Sequence, residues 1–328
     1  MAPDLNPRDL GFPEGVSFSG GTGFMALGER AVRVRRINTY QVQNAVNWMR
    51  GAHSIKFGGE ARYVQANILQ TAATQGSFGF DGRYTSIPVT NPAGNGFAEF
   101  LLGVPSTTSV SVGINLVYPR RRAYGLYLKD DWKVTPDLTL NLGLRYELNM
   151  PTTDARGQLS GFDHGTGEIV YPKNAVLGNF FQTVRPDLKY RLFDSNTIFD
   201  PDYNNLGPRV GLAYKLPGLA KTVFRSGFGV YYVSPELNSE MNTGNTPPFQ
   251  LRIDEAGNAR TPNLSWALKG DPALLRTAQF GIFTFNANRD FTTGYILQWT
   301  GEFQHELPKG TVVKAGYVGS KGSKLITT

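Results

Sequence analysis

The sequence predicts an all-β chain: an antiparallel up-and-down transmembrane β-barrel segment, incomplete, with short periplasmic turns and long extracellular loops. Three observations predict it. In PDLTLNLGLRYELN (136–149), Leu138, Leu140, Leu142, Leu144, Tyr146 and Leu148 alternate without a miss with Thr139, Asn141, Gly143, Arg145, Glu147 and Asn149. Strand side chains point to opposite faces with period two, so one face is almost pure leucine and the other is polar. The stretch is also long. From Leu138 to Leu148, at a rise of about 3.3 Å per residue and a tilt of ~45°, it covers the ~25 Å apolar band of an outer membrane, whereas soluble strands average ~5–6 residues. Finally, short turns and long loops recur in strict succession along the chain.

The elements follow in pairs. In YQVQNAVNWM, Tyr40, Val42, Val46 and Trp48 share one face against Gln41, Gln43 and Asn47. After the turn RGAH (50–53), Ile55, Phe57, Gly59, Ala61 and Tyr63 alternate with Lys56, Gly58, Glu60 and Arg62. The second pair is YGLYLKDDWK, the turn TPD (135–137) and the leucine stretch. The third is PRVGLAYKL, PGLA (217–220) and KTVFRSGFGVYYV; the fourth is YILQWTGEFQHEL, PKG (308–310) and TVVKAGYVGS. Pro and Gly sit in these turns, where their backbone preferences are useful. The connections, 65–120, 149–207 and 234–291, far exceed the ~4–6 residues usual in compact domains. Their regular recurrence is the rhythm of a membrane barrel. Two or three further strands are expected within 15–35 and inside the loops. Trp48 and Trp132 fall on the apolar face beside short turns, as an interfacial girdle requires. Asp130 shares that face and is expected at headgroup level, where charge costs least.

Composition narrows the chemistry. The 328 residues include no cysteine, so disulfides, thiolate catalysis and Cys-ligated metals are excluded. The three histidines, His53, His164 and His305, are scattered, and no Ser/His/Asp set can be brought together from sequence; no enzyme activity and no cofactor are expected. Asp130 and Asp131 point to opposite faces and cannot flank one bond. The net charge is +7, but the basic runs RAVRVRR (30–36) and PRRR (119–122) read as solvated loop ends without interleaved stacking aromatics, so no nucleic-acid partner is expected. GGTG (20–23) reads as a turn, GSKGSK (319–324) as a flexible basic loop, FAEFLLG (97–103) as a short docking helix and His305 as an interfacial or pore-mouth residue. No apolar run approaches the ~18 residues of a membrane-spanning helix. MAPDLNPRDL lacks the basic and apolar regions of a signal peptide, so no export signal is expected here.

HSIKFGGEARY, GFAEFLLGVPS, YGLYLKDDWKVTPDLTLNLGLRYE, NNLGPRVGLAYKL, VFRSGFGVYY and GYVGSKGSKL together resemble the barrel of the Oar-like TonB-dependent transporters, in order, from about residue 30 onward. The resemblance implies a barrel of about 22 strands with a plugged lumen. It also implies energised uptake of a large or scarce substrate. The implied partners are outer-membrane lipid and lipopolysaccharide, a plug domain, the TonB energy-coupling complex and an unidentified substrate. On this pattern residues 1–328 are expected to be a middle part of the barrel domain. The plug, the TonB box and a closing aromatic-ended strand are expected to lie outside the chain.

The polar faces supply the lumen-facing candidates: Lys56, Glu60, Arg62, Lys129, Asp131, Lys133, Arg145, Glu147, Arg225, Glu302 and Lys314. Mixed charge fits contact with a plug or with water. The loops supply recognition candidates, Tyr84, Tyr171, Phe180, Phe181, Tyr190, Tyr203 and Trp266, since aromatics give large contact area at low entropic cost. Arg185–Tyr203 is expected to be a loop tip. Two other functions fit the same faces less completely. One is a surface scaffold whose loops bind a partner or polysaccharide. The other is a soluble secreted glycan-binding β-protein, which needs shorter strands packed as a sandwich.

Overall fold

The computed structural model describes residues 15–19, 25–28, 33–70, 76–87, 94–113, 115–219, 221–234, 244, 246–256, 289 and 291–325. In chain order the strands begin with β1 (Gly15–Phe18), the hairpin β2 (Arg33–Arg50) and β3 (His53–Gln70), and β4 (Ser77–Phe80). Helix α1 (Gly96–Leu102) precedes β5 (Thr107–Gly113) and β6 (Asn115–Val117). The hairpin β7 (Pro119–Thr135) and β8 (Leu138–Asn149) leads to β9 (Thr153–Asp154), β10 (Gly161–Asp163), β11 (Glu168–Tyr171), helix α2 (Phe180–Thr183) and β12 (Tyr190–Leu192). A third hairpin joins β13 (Leu206–Lys215) to β14 (Thr222–Tyr232). β15 (Gln250–Ala256) follows, then the hairpin β16 (Tyr295–Glu306) and β17 (Val312–Ser323).

Eight strands form one antiparallel meander in the order β17-β16-β14-β13-β8-β7-β3-β2, with β6 and β9 appended to β3 and β7. These are the eight expected strands, hairpin by hairpin. The sheet does not close: among the described residues β2 pairs only with β3, and β17 only with β16. Three of the hairpin turns contain a glycine on the left-handed side of the map; Gly51 (φ 58°) and Gly218 (φ 80°) are two of them. At the β7–β8 turn the Thr135 hydroxyl accepts from the Asp137 and Leu138 amides instead.

Burial is inverted relative to a soluble sheet. Leu126, Leu128, Leu142, Leu144 and Phe303 are all exposed on the wall. Two buried cores lie in the loops: Leu159, Val170, Phe193, Ile198 and Phe199 form one, and Ile169, Tyr171, Phe180, Phe181 and Leu251 another; a third, Ala66, Ile68 and Val117, sits where β6 pairs with the end of β3. A leucine strip left in the open is stable only where lipid covers it.

The loops carry two small sheets, β1-β4-β5-β15 and β10-β11-β12. The expected helix within 97–103 is α1. Asn95 caps it by accepting from the Phe97 and Ala98 amides, and left-handed Gly103 ends it. Fully buried Glu99 ties it down, accepting from the amides of Gly82 (2.8 Å) and Tyr84 (2.5 Å).

Both basic runs correct the sequence reading. Arg33–Arg36 lie within β2, whose pairing with β3 extends to Gln70, and Pro119–Arg122 begin β7. Arg120 is not a solvated loop end. Its guanidinium donates to the Ala66 carbonyl (2.6 Å) and to Asn67 (3.0 Å). GSKGSK is likewise strand through Ser323, because its glycines pack beside Trp299 and Leu325 while its backbone pairs with β16. GGTG (20–23) lies outside the described residues.

Candidate functional site: the polar face of the wall and the loop assembly

Strand register places the wall candidates on one face. Lys56 stands opposite Lys129, Glu60 opposite Gly125, and Gly125 opposite Glu147. Arg225 stands opposite Glu302, and Lys314 opposite Gln304. With alternation along each strand, Arg62, Asp131, Lys133 and Arg145 join the same face.

The central feature is Arg145. Its Nη2 donates to Glu60 Oε1 (2.5 Å) and its Nε to Glu147 Oε1 (2.6 Å), bridging two carboxylates across β7. Gly125 makes the bridge possible. A Cβ there would lie 2.8 Å from Arg145 Nη2 and 3.1 Å from Glu60 Oε1, so any larger residue pushes the guanidinium off its path. Gln41 also donates to Glu60 (3.2 Å), and Arg62 lies 3.7 Å from it. A second cluster joins Lys129 to Asp131 (2.8 Å), which also accepts from Asn141. In a third, Gln304 donates to Glu302. Sequence reasoning missed Gly125 and Arg209. The signal for both was parity, since each occupies a polar-face position in an alternating strand.

The opposite face explains Asp130. Its Oδ2 accepts from His53 Nδ1 at 2.6 Å, and the His53 ring stacks on Trp132 with centroids 5.1 Å apart and planes at 15°. Arg50 sits over Trp48 at 5.8 Å. A carboxylate among leucines is thus held by a histidine next to the turn, inside an aromatic girdle. His305, at the end of β16, meets the Thr222 hydroxyl at 2.7 Å.

The loop candidates separate. Tyr171 is fully buried, donates to the Pro247 carbonyl, and packs against Phe181 and Phe249; burial pushes its phenol far above the ordinary range. Phe180 and Phe181 are buried beside it, and Tyr190 stacks on Phe181 at 4.3 Å. These four form one packed cluster. Tyr84 lies apart, half-buried above Glu99, its phenol also pushed up by burial. Tyr203 is 60% exposed, with its carbonyl accepting from Tyr146 of the wall (3.0 Å). Trp266 lies outside the described residues. Nor is 185–203 a removable tip: Phe193, Ile198 and Phe199 are buried.

Two sequence-distant loops are welded by Arg289. It donates to Asp194 (2.8 Å) and Asp200 (2.9 Å) and lies 4.9 Å from the Phe193 ring, which Arg191 also contacts. Hydrogen bonding to Arg289 holds the Asp194 carboxyl below its ordinary range. Asp202 extends the weld by accepting from the Thr293 amide (2.8 Å). The result is a loop assembly joined to a wall with one apolar and one polar face.

No curated protein matches the chain. Among solved structures it is similar to the copper transporter OprC, with 10% identity over 87% of this chain and 30% of that one and a TM-score of 0.43. It is also similar to the ferric-catecholate import receptor Fiu of E. coli K12 in its closed form, with 10% identity, 90% and 32% coverage and a TM-score of 0.35. A third is the ferric citrate transporter FecA in unliganded form, with 12% identity, 88% and 32% coverage and a TM-score of 0.28. The chain spans about a third of the length of each. A family model for the outer membrane beta barrel domain matches residues 3–328, and the chain belongs to that family.

Proposed function

We propose that this chain is the wall and loop region of a TonB-dependent outer-membrane transporter, which takes up a large or scarce substrate by energised import. One observation carries the reading: strand register gathers charged residues from Lys56 on β3 to Lys314 on β17 on one face of the wall, with Arg145 of β8 reaching across β7 to Glu60 of β3. A sheet that does not close on itself and keeps a mixed-charge inner face suits a wide lumen holding water or a plug. The ordered resemblance of its hairpins to Oar-like transporters supports the same reading. Residues 1–328 then act as part of the barrel domain. Lys56, Glu60, Arg62, Lys129, Asp131, Arg145, Glu147, Arg225, Glu302 and Lys314 line the lumen, facing a plug domain, and the TonB complex supplies energy from the inner membrane. Among the described loop candidates Tyr203 is the one left exposed, and so the one open to contact with a substrate.

The surface-scaffold reading uses the same loops without energy. Nutrient accumulation in cells with and without this gene, each with and without a working TonB complex, separates the two. Energised import is expected to show a solute whose accumulation falls on loss of either component. If every solute accumulates equally in all four strains while the loops still bind a surface partner, the scaffold reading replaces the transporter.

A further inference from the structure

One cross-strand row of the polar face is charged with a single sign. Register runs Lys56–Lys129–Gly143–Arg209–Gly229–Gln298 over six adjacent strands, with no carboxylate in the row. Like charges directly opposite, such as Lys56 and Lys129, destabilise a sheet. Lys129 is offset by Asp131. Among the described residues Lys56 and Arg209 form no ion pair, and the nearby carboxylates Glu60 and Glu147 are committed to Arg145. Arg209 is nonetheless held in place, with its guanidinium 4.5 Å from the Tyr231 ring and its Nε buried without a partner. Gly229 lets that ring lie flat, since a Cβ there would come within 2.8 Å of it.

The row lines a trough of ≈ 610 Å³, floored by Gly143, Gly211, Gly227 and Gly229 and flanked by Arg145 and Thr300. That volume falls in the ~300–1,000 Å³ range of small-molecule sites. We infer that the trough is an anion seat that binds the carboxylate or phosphate group of a solute moving along the polar face. Arg209 presents its planar fork to two oxygens of the anion, and Lys129 and Lys56, two and three strands away along the row, add to the positive field of the trough. The bound anion provides the counter-charge that the row lacks. This inference rests on the polar face being the barrel's inner wall, as proposed above.

The test is equilibrium dialysis of radiolabelled inorganic phosphate against protein extracted from the outer membrane in detergent, with folding checked by heat-modifiable gel mobility. Saturable binding of about one phosphate per chain is expected. Arg209→Gln should weaken it by about 10- to 100-fold, the loss of one charge-assisted contact, and Lys56→Gln, which removes only a more distant charge of the row, by a smaller factor. Gly227→Val keeps every cation but fills the floor, where its Cβ clears Thr300 at 3.6 Å, and should abolish binding. Gly301→Ala, on the apolar face, should leave binding unchanged. No saturable binding, or equal binding by all folded variants, overturns the proposal. So does binding of a glutamate-rich peptide without phosphate, which would assign the trough to a protein carboxylate. Because binding is read on purified protein, a failure of uptake in cells leaves this result standing, and the reverse holds too.

Discussion

Leu144→Arg is expected to cost about 2–4 kcal/mol of barrel stability, as a cation does near a bilayer midplane. Leu144 is exposed on the leucine face, between Leu128 and Pro208 in register. Six residues from the turn, it lies about 14 Å up the membrane on a strand of ordinary rise and tilt. Leu142 is a poorer probe because Asp130 stands opposite and would pair with the new arginine. Asn141→Arg is the control. It enters the polar face beside Asp131, to which Asn141 already donates, so it should be near neutral for assembly. The two variants are compared by the fraction of heat-modifiable, folded band in outer-membrane preparations. Equal losses would show that the two faces do not differ as assigned.

Tyr171→Ala should be the most damaging change in the loops, at about 3–5 kcal/mol, the usual cost of deleting a buried ring. Its ring is the meeting point of β11, α2 and the 247–251 segment, and its hydroxyl bonds the Pro247 carbonyl. Removing it leaves a cavity and a carbonyl without its donor. Tyr203→Ala, at an exposed position, should leave the loops intact. Limited proteolysis of intact cells reads the difference. The Tyr171 variant should be cut within 160–200 while its barrel still migrates as folded, and the Tyr203 variant should resist like the parent. Resistance of both would place the loop core elsewhere.

These two positions also show what the sequence reveals. The wall was legible because one physical rule governs each residue: lipid on one side, polar surroundings on the other. Period two therefore identified the β8 leucines, the hairpin partners and the shared face of Lys56, Glu60, Arg145 and Glu147. The loops obey no such rule. Tyr171 and Tyr203 look alike in sequence, yet one is a core ring and the other is exposed. The difference is set by contacts between distant segments, such as Arg289 with Asp194 and Asp200, that no local pattern encodes. The same limit hid the role of Gly125, though not its polar-face parity, because that role depends on an arginine from the next strand passing over it. It also hid the strand identity of Arg120, which is set by its backbone pairing with Gln65 of β3.

The opposed faces of the wall are the central claim, and the absence of cysteine makes them directly testable. Single cysteines from position 139 to 148 can be spin-labelled one at a time without background, in protein reconstituted in outer-membrane lipid. Nitroxide collisions with oxygen, which concentrates in lipid, should peak at 140, 142, 144, 146 and 148. Collisions with a water-soluble nickel chelate should peak, wherever they rise, at 139, 141, 143, 145 and 147. Two out-of-phase patterns of period two are the expected result; in-phase patterns, or no period of two, would contradict a wall with lipid on one side and a polar lumen on the other.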